Sequence, residues 1–284
     1  MSRRSRNIFR YLMVLGLAVS LIGGGSVALG AGFLGEAAVN CQASQFALSP
    51  SFVGSVYGDM LSVDSKGVLW RSPSSKTGKL GTAVRIGPGW ASLRIYAPGD
   101  WSGDGKADLI AVTAGRMLLY PGSGKGTFAK PIQIGHGWSS YEVIPMGDLT
   151  DDGIADMLAV NTQTGVLLLY SGNGKGGFKS GNKQVGHGWK GMRLFAAGDA
   201  NKDGKADILG KKADGRLLFY AGKGTGGFKP AQSVGYLFDG QEMVAGTDLN
   251  GDGSPDMVTW GPNNESMWMS KISGGGWGKV IGTC

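Results

Sequence analysis

The sequence predicts an all-β fold, a five-bladed β-propeller of four-stranded antiparallel blades whose ring is closed by a disulfide between the two ends of the chain. Three observations lead to this prediction. A nine-residue acidic motif recurs about every 49 residues, short apolar segments alternate with glycine-rich turns, and the 2 cysteines fall at neighbouring places of one repeating pattern. Many short strands at a period of this length are typical of propeller blades.

The acidic motif has the pattern Asp-x-(Ser/Thr/Asn)-x-Asp-Gly-x-x-Asp. Its four copies begin at Asp100, Asp148, Asp199 and Asp248. Oxygen-bearing side chains at positions 1, 3, 5 and 9 converge when the chain turns sharply, and the glycine at position 6 permits that turn. Calcium prefers such a set of oxygen ligands. The motif therefore predicts about four Ca²⁺ ions with a structural role.

A fifth copy of the motif, at the start of the first repeat, is degenerate. It keeps Asp59 at position 9, but Ser51 and Ser55 stand at positions 1 and 5. We therefore expect the first repeat to fold like the others and to bind no metal.

Within a repeat, the residues predict four short strands and no helix. In the second repeat these strands are roughly Leu93–Ala97, Leu109–Thr113, Arg116–Tyr120 and Lys130–Ile134. They are rich in β-branched, aromatic and alternating apolar residues and are bounded by glycine. Because strand direction alternates, the acidic loops and the strand 3–4 loops should emerge on one face of the ring, and the strand 2–3 turns and the connectors between repeats on the other.

The connectors carry the motif Gly-x-Gly-Trp and set the boundaries of the blades. The copies are Gly87-Pro-Gly-Trp90, Gly135-His-Gly-Trp138, Gly186-His-Gly-Trp189 and a degenerate Gly235-Tyr-Leu-Phe238. Each aromatic residue stands 18 residues before the last Asp of the following loop. Blades of residues 41–89, 90–137, 138–188, 189–237 and 238–284 follow, and together they form one propeller domain.

Counting back from Asp59 by the same offset places Cys41 in the tryptophan position, and Cys284 falls in the position before it. A Cys41–Cys284 disulfide would join the last blade to the first and stabilise the ring by several kcal/mol. Two alternatives are a pair of unrelated thiols and a lipid-attachment role for Cys41. Asn40 argues against the second, because a small residue is needed there.

Residues 1–40 have the composition of a targeting segment. Arg3, Arg4, Arg6 and Arg10 form a basic start, and an uncharged stretch from Tyr11 to Gly35 follows. This segment is either a signal peptide or an uncleaved membrane anchor. In both cases the propeller is expected to be secreted, or held at the cell surface through the N-terminal segment.

The acidic loops resemble the calcium-binding repeats of the FG-GAP/VCBS class, which is known from integrin α-subunit propellers and bacterial surface proteins. The segments Leu119–Phe128, Leu169–Phe178 and Phe219–Phe228 add to the resemblance. Members of the class usually have seven blades, whereas this chain has residues for five. Five-bladed rings of similar repeats are known among sugar-binding lectins.

The resemblance implies that the backbone carbonyl at position 7 completes each calcium shell, beside the side chains at positions 1, 3, 5 and 9. The implied ligands are Asp100, Ser102, Asp104, Lys106 and Asp108; Asp148, Thr150, Asp152, Ile154 and Asp156; Asp199, Asn201, Asp203, Lys205 and Asp207; and Asp248, Asn250, Asp252, Ser254 and Asp256.

Several further residues have two possible roles. Trp90, Trp138 and Trp189 could pack the blades or stack on sugars, and His136 and His187 stand beside them at equivalent positions. Trp101, at position 2 of a loop, could point outward to a partner. Lys125, Lys175 and Lys223 lie in glycine-rich loops that lack the helix of a phosphate-binding P-loop, so they are either solvated tips or a basic rim.

No arrangement of residues typical of a nucleophilic or metal-dependent enzyme is present, so we predict no catalytic activity. The chain carries a net charge of +7, which favours an anionic partner or serves solubility alone. The leading hypothesis is a binding module for glycan or an anionic wall polymer, and the alternative is a protein-binding adhesion propeller. A glycan-active hydrolase or lyase is less favoured, and no nucleic-acid partner is expected.

Overall fold

The structure is a computed structural model that describes residues 45–237, 242–261, 266–271 and 279–283, the last two ranges as backbone only. The targeting segment of residues 1–40 and the predicted disulfide partners Cys41 and Cys284 lie outside the described residues.

The described chain forms five four-stranded antiparallel sheets whose strands follow in chain order. The first sheet contains β1 (Gln45–Ser49), β2 (Asp59–Val63), β3 (Leu69–Pro73) and β4 (Val84–Gly87). The second contains β5 (Arg94–Gly99), β6 (Asp108–Thr113), β7 (Arg116–Tyr120) and β8 (Ile132–His136). The third contains β9 (Tyr141–Pro145), β10 (Met157–Asn161), β11 (Leu167–Tyr170) and β12 (Lys183–Gly186). The fourth contains β13 (Arg193–Gly198), β14 (Asp207–Lys211), β15 (Arg216–Tyr220) and β16 (Gln232–Tyr236). The fifth contains β17 (Glu242–Thr247), β18 (Asp256–Trp260), β19 (Ser266–Lys271) and β20 (Lys279–Thr283).

The all-β prediction of four-stranded antiparallel blades is confirmed. In the second blade, β7 has the predicted limits and the other three strands begin one or two residues from them. The only helix of the described residues is a single 3-10 turn at Trp138–Ser140. Among these residues no helix is long and apolar enough to cross a membrane.

The sheets are arranged as a propeller around their first strands. Strand β1 contacts β5 and β17, β9 contacts β5 and β13, and β13 contacts β17, so the innermost strands form a closed circle. A cluster of buried side chains fills the space between each pair of neighbouring sheets. Where the first and fifth sheets meet, Leu48, Met60 and Leu80 pack with Leu249, Val258 and Trp260. Burial of these apolar surfaces between the sheets is the main force that holds the blades together.

Neighbouring blades are also joined by hydrogen bonds between loops. The N–H of Gly126 donates to the Phe52 carbonyl at 3.0 Å, that of Gly176 to Trp101 at 3.2 Å and that of Gly226 to Leu149 at 3.0 Å. Each acceptor occupies position 2 of the preceding acidic loop. Between the first and fifth blades the Ser74 hydroxyl takes this role and donates to the Leu249 carbonyl.

These contacts place the acidic loops and the strand 3–4 loops on one side of the ring, which we call the loop face. On the opposite side, the connector face, the N–H groups of Trp90, Trp138 and Trp189 donate to glycine carbonyls of the strand 2–3 turns at 2.9–3.0 Å. The predicted distribution of loops between the two faces agrees with these hydrogen bonds.

Candidate functional site

The last Asp of every acidic loop is buried and fastens the loop to its blade. Asp59, Asp108, Asp156, Asp207 and Asp256 are 0–1% exposed. In Asp108, Oδ2 accepts the Ser102 N–H at 2.7 Å and Oδ1 accepts the Gly122 N–H at 2.8 Å. Burial raises the pKa of Asp108, and these two hydrogen bonds partly oppose the rise. A side chain at position 9 therefore connects the acidic loop with the strand 3–4 loop of the same blade.

The first Asp of each loop organises the turn itself. Asp100 accepts the N–H groups of Gly103, Asp104 and Gly105 at 2.8–3.0 Å. The glycine at position 6 has φ of 77–83° in the four complete loops, as the motif requires. Position 4 is also left-handed, with φ of 77° at Gly103 and 63° at Asp151 and Lys202. The second left-handed residue could not be predicted, because position 4 has no fixed residue type.

The side chains at positions 3, 5 and 9 are neighbours within a loop. The Thr150 hydroxyl donates to Asp156 Oδ2 at 3.1 Å, and the Asn250 side-chain amide donates to Asp256 Oδ2 at 3.3 Å. Burial, together with the nearby carboxylates of Asp252 and Asp248, raises the pKa of Asp256 to about 6. Each loop thus collects negative charge and oxygen atoms at its tip.

Lysine side chains neutralise part of this charge at position 5. Lys106 Nζ lies 2.8 Å from Asp104, Lys179 Nζ 2.5 Å from Asp152, and Lys229 Nζ 3.2 Å from Asp203. The carboxylates at position 5 consequently turn toward lysine. Among the described residues, no three His, Cys, Asp or Glu side chains come together at metal-binding distances.

The donor set nevertheless fits calcium. Two of the atoms predicted as ligands, Ser102 Oγ and Asp256 Oδ1, are buried without a hydrogen-bond partner in the described structure. Such orphaned oxygens are costly, and a bound cation would supply their missing partner. A carboxylate at position 5 would have to give up its ion pair with lysine to bind the calcium ion, because the same oxygen cannot contact both cations fully.

The first blade has a different arrangement around its buried carboxylate. Asp59 Oδ2 accepts the Phe52 N–H at 2.7 Å, and Arg71 Nη1 donates to Oδ1 at 2.9 Å. Both side chains are buried, with Asp59 1% and Arg71 9% exposed. Burial still raises the pKa of Asp59, although the Phe52 N–H and the Arg71 charge lower it. Arg71 could not be predicted from the motif, because it lies on a strand outside the loop pattern.

The connector tryptophans are packing residues. Trp90, Trp138 and Trp189 are 5–9% exposed and contact Tyr120, Tyr170 and Tyr220 at ring-centroid distances of 4.8–4.9 Å. A Cβ on Gly135 or Gly186 would fall 2.4–2.5 Å from the indole nitrogen of the following Trp, which explains the first glycine of those connectors. The indole faces are thus used inside the blades, and the proposed sugar-stacking role of these three residues is not supported.

Trp101 is likewise buried, at 3% exposure, and packs edge-on against Phe178 at 5.4 Å. The prediction that it points outward to a partner is wrong, because position 2 of the loop faces the neighbouring blade. Lys125, Lys175 and Lys223 are exposed. Hydrogen bonding aligns Lys223 with Ser123 and Asn173, not with the other two lysines, so they do not form a regular basic ring.

Exposed planar side chains occur at equivalent positions of the connector face. His136 and His187 are exposed, and Tyr236 at the same place of the fourth blade is 64% exposed. Arg116 lies opposite His136 and Arg216 opposite Tyr236 in the strand register. Sequence reasoning identified the two histidines but missed Tyr236. The spacing that aligns the degenerate connector Gly235-Tyr-Leu-Phe238 with the other connectors is the signal that could have found it.

Comparison with known proteins agrees with the loop motif. Residues 100–159 and 148–210 each match the family model described as an FG-GAP-like repeat. No curated protein sequence matches the chain.

Several solved structures resemble this chain at low sequence identity. A lectin from Agrocybe aegerita is 20% identical, with a TM-score of 0.50 over 85% of this chain and 66% of the lectin chain. The BP39L lectin from Burkholderia pseudomallei is 14% identical, with a TM-score of 0.48 over 84% of this chain and 69% of its own. The Photorhabdus luminescens Tc holotoxin pore is 14% identical, with a TM-score of 0.45 over 84% of this chain and 14% of the toxin chain. This chain thus spans just under two thirds of the Agrocybe lectin. Residues 100–210 are therefore similar to FG-GAP-like repeats, and they lie within a β-propeller of four-stranded antiparallel sheets.

Proposed function

We propose that the protein is an exported, non-catalytic propeller that binds glycan or an anionic wall polymer through several equivalent shallow sites on its connector face. The observation that carries this proposal is the repetition of His136, His187 and Tyr236 in three blades, each exposed at the same position. Planar side chains with a polar edge are suited to stacking on a sugar ring while hydrogen-bonding its hydroxyls.

Weak sites repeated on one face gain overall affinity when a polymer engages two or more of them together. Arg116 and Arg216 flank two of the three rings and would favour anionic sugars. The Agrocybe lectin is described as recognising non-reducing terminal N-acetylglucosamine, so oligosaccharides with that terminus are natural first probes.

We propose further that about four calcium ions stiffen the complete acidic loops and that a Cys41–Cys284 disulfide closes the ring. The orphaned oxygens of Ser102 and Asp256 support calcium in two of the loops. Isothermal titration with Ca²⁺ should give about four sites. Mass spectrometry should find both thiols oxidised, and two free thiols would contradict the disulfide.

The glycan proposal is tested with a glycan array and polysaccharide pull-downs. Replacing His136, His187 or Tyr236 with Ala should weaken polymer binding a few-fold, and the triple variant should lose it by about 100-fold through lost avidity. The matched control is the double variant Lys125→Ala and Lys175→Ala on the loop face, which should bind normally. Full polymer binding by the triple variant would exclude these residues.

A protein-binding role is the second candidate, and one feature of the first blade favours it. Val53 and Val56, in the degenerate loop, are 42% and 80% exposed. Neighbouring exposed valines at a loop tip are suited to an apolar contact with another protein. If no polysaccharide binds but a defined surface protein does, and Val56→Ser removes that binding, this alternative replaces the glycan proposal.

A further inference from the structure

The innermost strands enclose a central channel, a cavity of about 350 Å³ lined by residues of all five blades. Its wall includes the apolar side chains Phe46, Ile144, Phe195 and Val244, with Tyr96 among them. A volume of this size is at the lower end of small-molecule sites, which usually combine an apolar wall with a few polar groups.

The mouth of the channel on the connector face carries a ring of polar residues that we call the collar. Each member stands 14 residues before the last Asp of its loop and occupies the same register position of an innermost strand. The collar consists of Gln45, Arg94, Glu142, Arg193 and Glu242. A second cavity of about 520 Å³ lies at this mouth and is lined by four of the five.

Four collar members are already engaged with the protein. Gln45 Oε1 accepts the Ile95 N–H at 2.9 Å, and Arg94 donates to the Tyr141 carbonyl at 3.0 Å and the Trp138 carbonyl at 3.4 Å. Arg193 forms an ion pair with Glu242. Arg193 also lies over the Phe195 ring, 5.5 Å from its centroid. These contacts hold the four side chains at the rim of the channel.

Glu142 differs from the other four. It lines the channel, and among the described residues no cation lies within ion-pair distance of its carboxylate. Burial raises the pKa of Glu142, while the more distant Arg193 and Arg94 lower it. A half-buried carboxylate at the rim of an apolar channel is stabilised by a cation that can enter the channel.

We propose that the channel binds a small organic ammonium ion whose charged group pairs with Glu142 and whose uncharged body lies between Tyr96, Phe195 and Phe46. The cation meets a carboxylate that lacks a direct partner, and aromatic side chains close by favour cations as well. This site is separate from the exposed rings of the connector face, so either proposal can fail without the other.

Binding is tested by titration calorimetry on the full chain with two ammonium probes, cyclohexylammonium and glucosamine. The neutral counterparts are cyclohexanol and N-acetylglucosamine. The ammonium compounds should bind at least about tenfold more tightly than their neutral partners, since only they bring a positive charge to Glu142. If both amines bind, the site recognises the ammonium itself; if glucosamine alone binds, the ligand is an amino sugar, and both results support the proposal.

The isosteric variant Glu142→Gln should weaken binding of the ammonium probe about tenfold or more. The matched control is Asp214→Asn, which removes an exposed carboxylate of a strand 2–3 turn on the same face and should leave binding unchanged. The proposal is overturned if neither amine binds at millimolar concentration, if neutral and charged probes bind equally, or if Glu142→Gln binds as the wild type does. A melting temperature of Glu142→Gln at or above that of the wild type shows that the variant is folded.

Discussion

The acidic loop of the first blade differs from the other loops in what lies beside its buried carboxylate. Asp59 is paired with Arg71 at 2.9 Å, whereas Asp108 accepts the N–H of Gly122 at 2.8 Å. The strand register places Leu119, Leu169 and Phe219 where the first blade has Arg71. The first loop therefore carries its own cation, and the complete loops gather carboxylates that an ion from solution can bridge.

This difference separates two ways to stabilise the same hairpin tip. A guanidinium held by the chain is present at every calcium concentration. A bound ion stabilises by mass action, so its contribution depends on the free ion concentration. We expect the first blade to keep its loop in the absence of calcium, while the other blades lose stability together.

The largest expected effect is that of chelation. At a Ca²⁺ concentration of about 100 times Kd, each occupied loop adds about 2.7 kcal/mol to the free energy of unfolding. Removing all the ions should therefore lower Tm by more than about 10 °C. Differential scanning calorimetry in Ca²⁺ and in EDTA measures the change. An unchanged Tm after verified metal removal would contradict the structural role of calcium.

Variants of single loops show how much each blade contributes to calcium binding and to Tm. Asp152→Ala should lower the number of bound ions by one, because it removes a position-5 ligand. Ser55→Ala, at the same position of the first blade, should leave the number of ions and Tm unchanged. A loss of calcium in Ser55→Ala would mean that the first loop also binds an ion.

The second largest expected effect is the loss of folding stability in Arg71→Met. Removing one partner of a buried ion pair leaves an uncompensated charge and costs about 3–5 kcal/mol. Urea unfolding measures the loss, and the added change Asp59→Asn should recover part of it. The control Arg85→Met removes an exposed arginine of the same blade and should change the free energy of unfolding by less than about 0.5 kcal/mol.

The cost of Arg71→Met should depend on pH. Burial raises the pKa of Asp59 above its ordinary value of 3.8, and loss of Arg71 raises it further. In the folded variant, Asp59 then takes up a proton at a higher pH than it does in the unfolded chain. The loss in the free energy of unfolding is therefore complete above the raised pKa and disappears as the pH falls toward 3.8. The urea midpoints of variant and wild type should therefore differ at neutral pH and converge near pH 4. An equal difference at both pH values would show that Arg71 acts through packing alone.

The smallest effect concerns the lysines that would compete with the proposed calcium ions. Lys179→Met and Lys229→Met remove exposed ion pairs worth about 0.2–1 kcal/mol, so each should raise the calcium affinity of its loop by up to about fivefold. Titration calorimetry measures the change, and Lys125→Met, whose lysine pairs with no loop carboxylate in the described structure, should leave the affinity unaltered. Weaker calcium binding by both variants would indicate that the lysines help to hold the ion.

The repeat and its strands could be predicted because each depends on residues that recur at fixed spacing. The glycine at position 6 and the apolar run of β7 are examples, since a sharp turn and a buried strand each admit few residue types. The burial of Asp59 and its equivalents could not be predicted, because a carboxylate at a hairpin suggests exposure. The structure places this carboxylate in the blade interior, where N–H groups from two loops converge on it in the second, third and fourth blades.

The rest depended on contacts between neighbouring strands and between blades, which the spacing of residues alone does not show. Arg71 reaches Asp59 across two strands, and Trp101 is buried only because the next blade brings Phe178 against it. The collar was not recognised because its five positions hold three residue types, Gln, Arg and Glu. Its members are equivalent by strand register, and only the structure reveals that register.

The hydrogen bond from the Ser74 hydroxyl to the Leu249 carbonyl bears on whether the blades must follow one another in their present order along the polypeptide. It reaches the same acceptor position as the loop-to-loop bonds between consecutive blades, and a cluster of buried side chains accompanies it. Blades that are not adjacent along the polypeptide therefore meet through the same kind of interface as blades that are. A circular permutant that opens the exposed connector between His187 and Gly188, and joins the original ends by a flexible linker, should refold into the same ring.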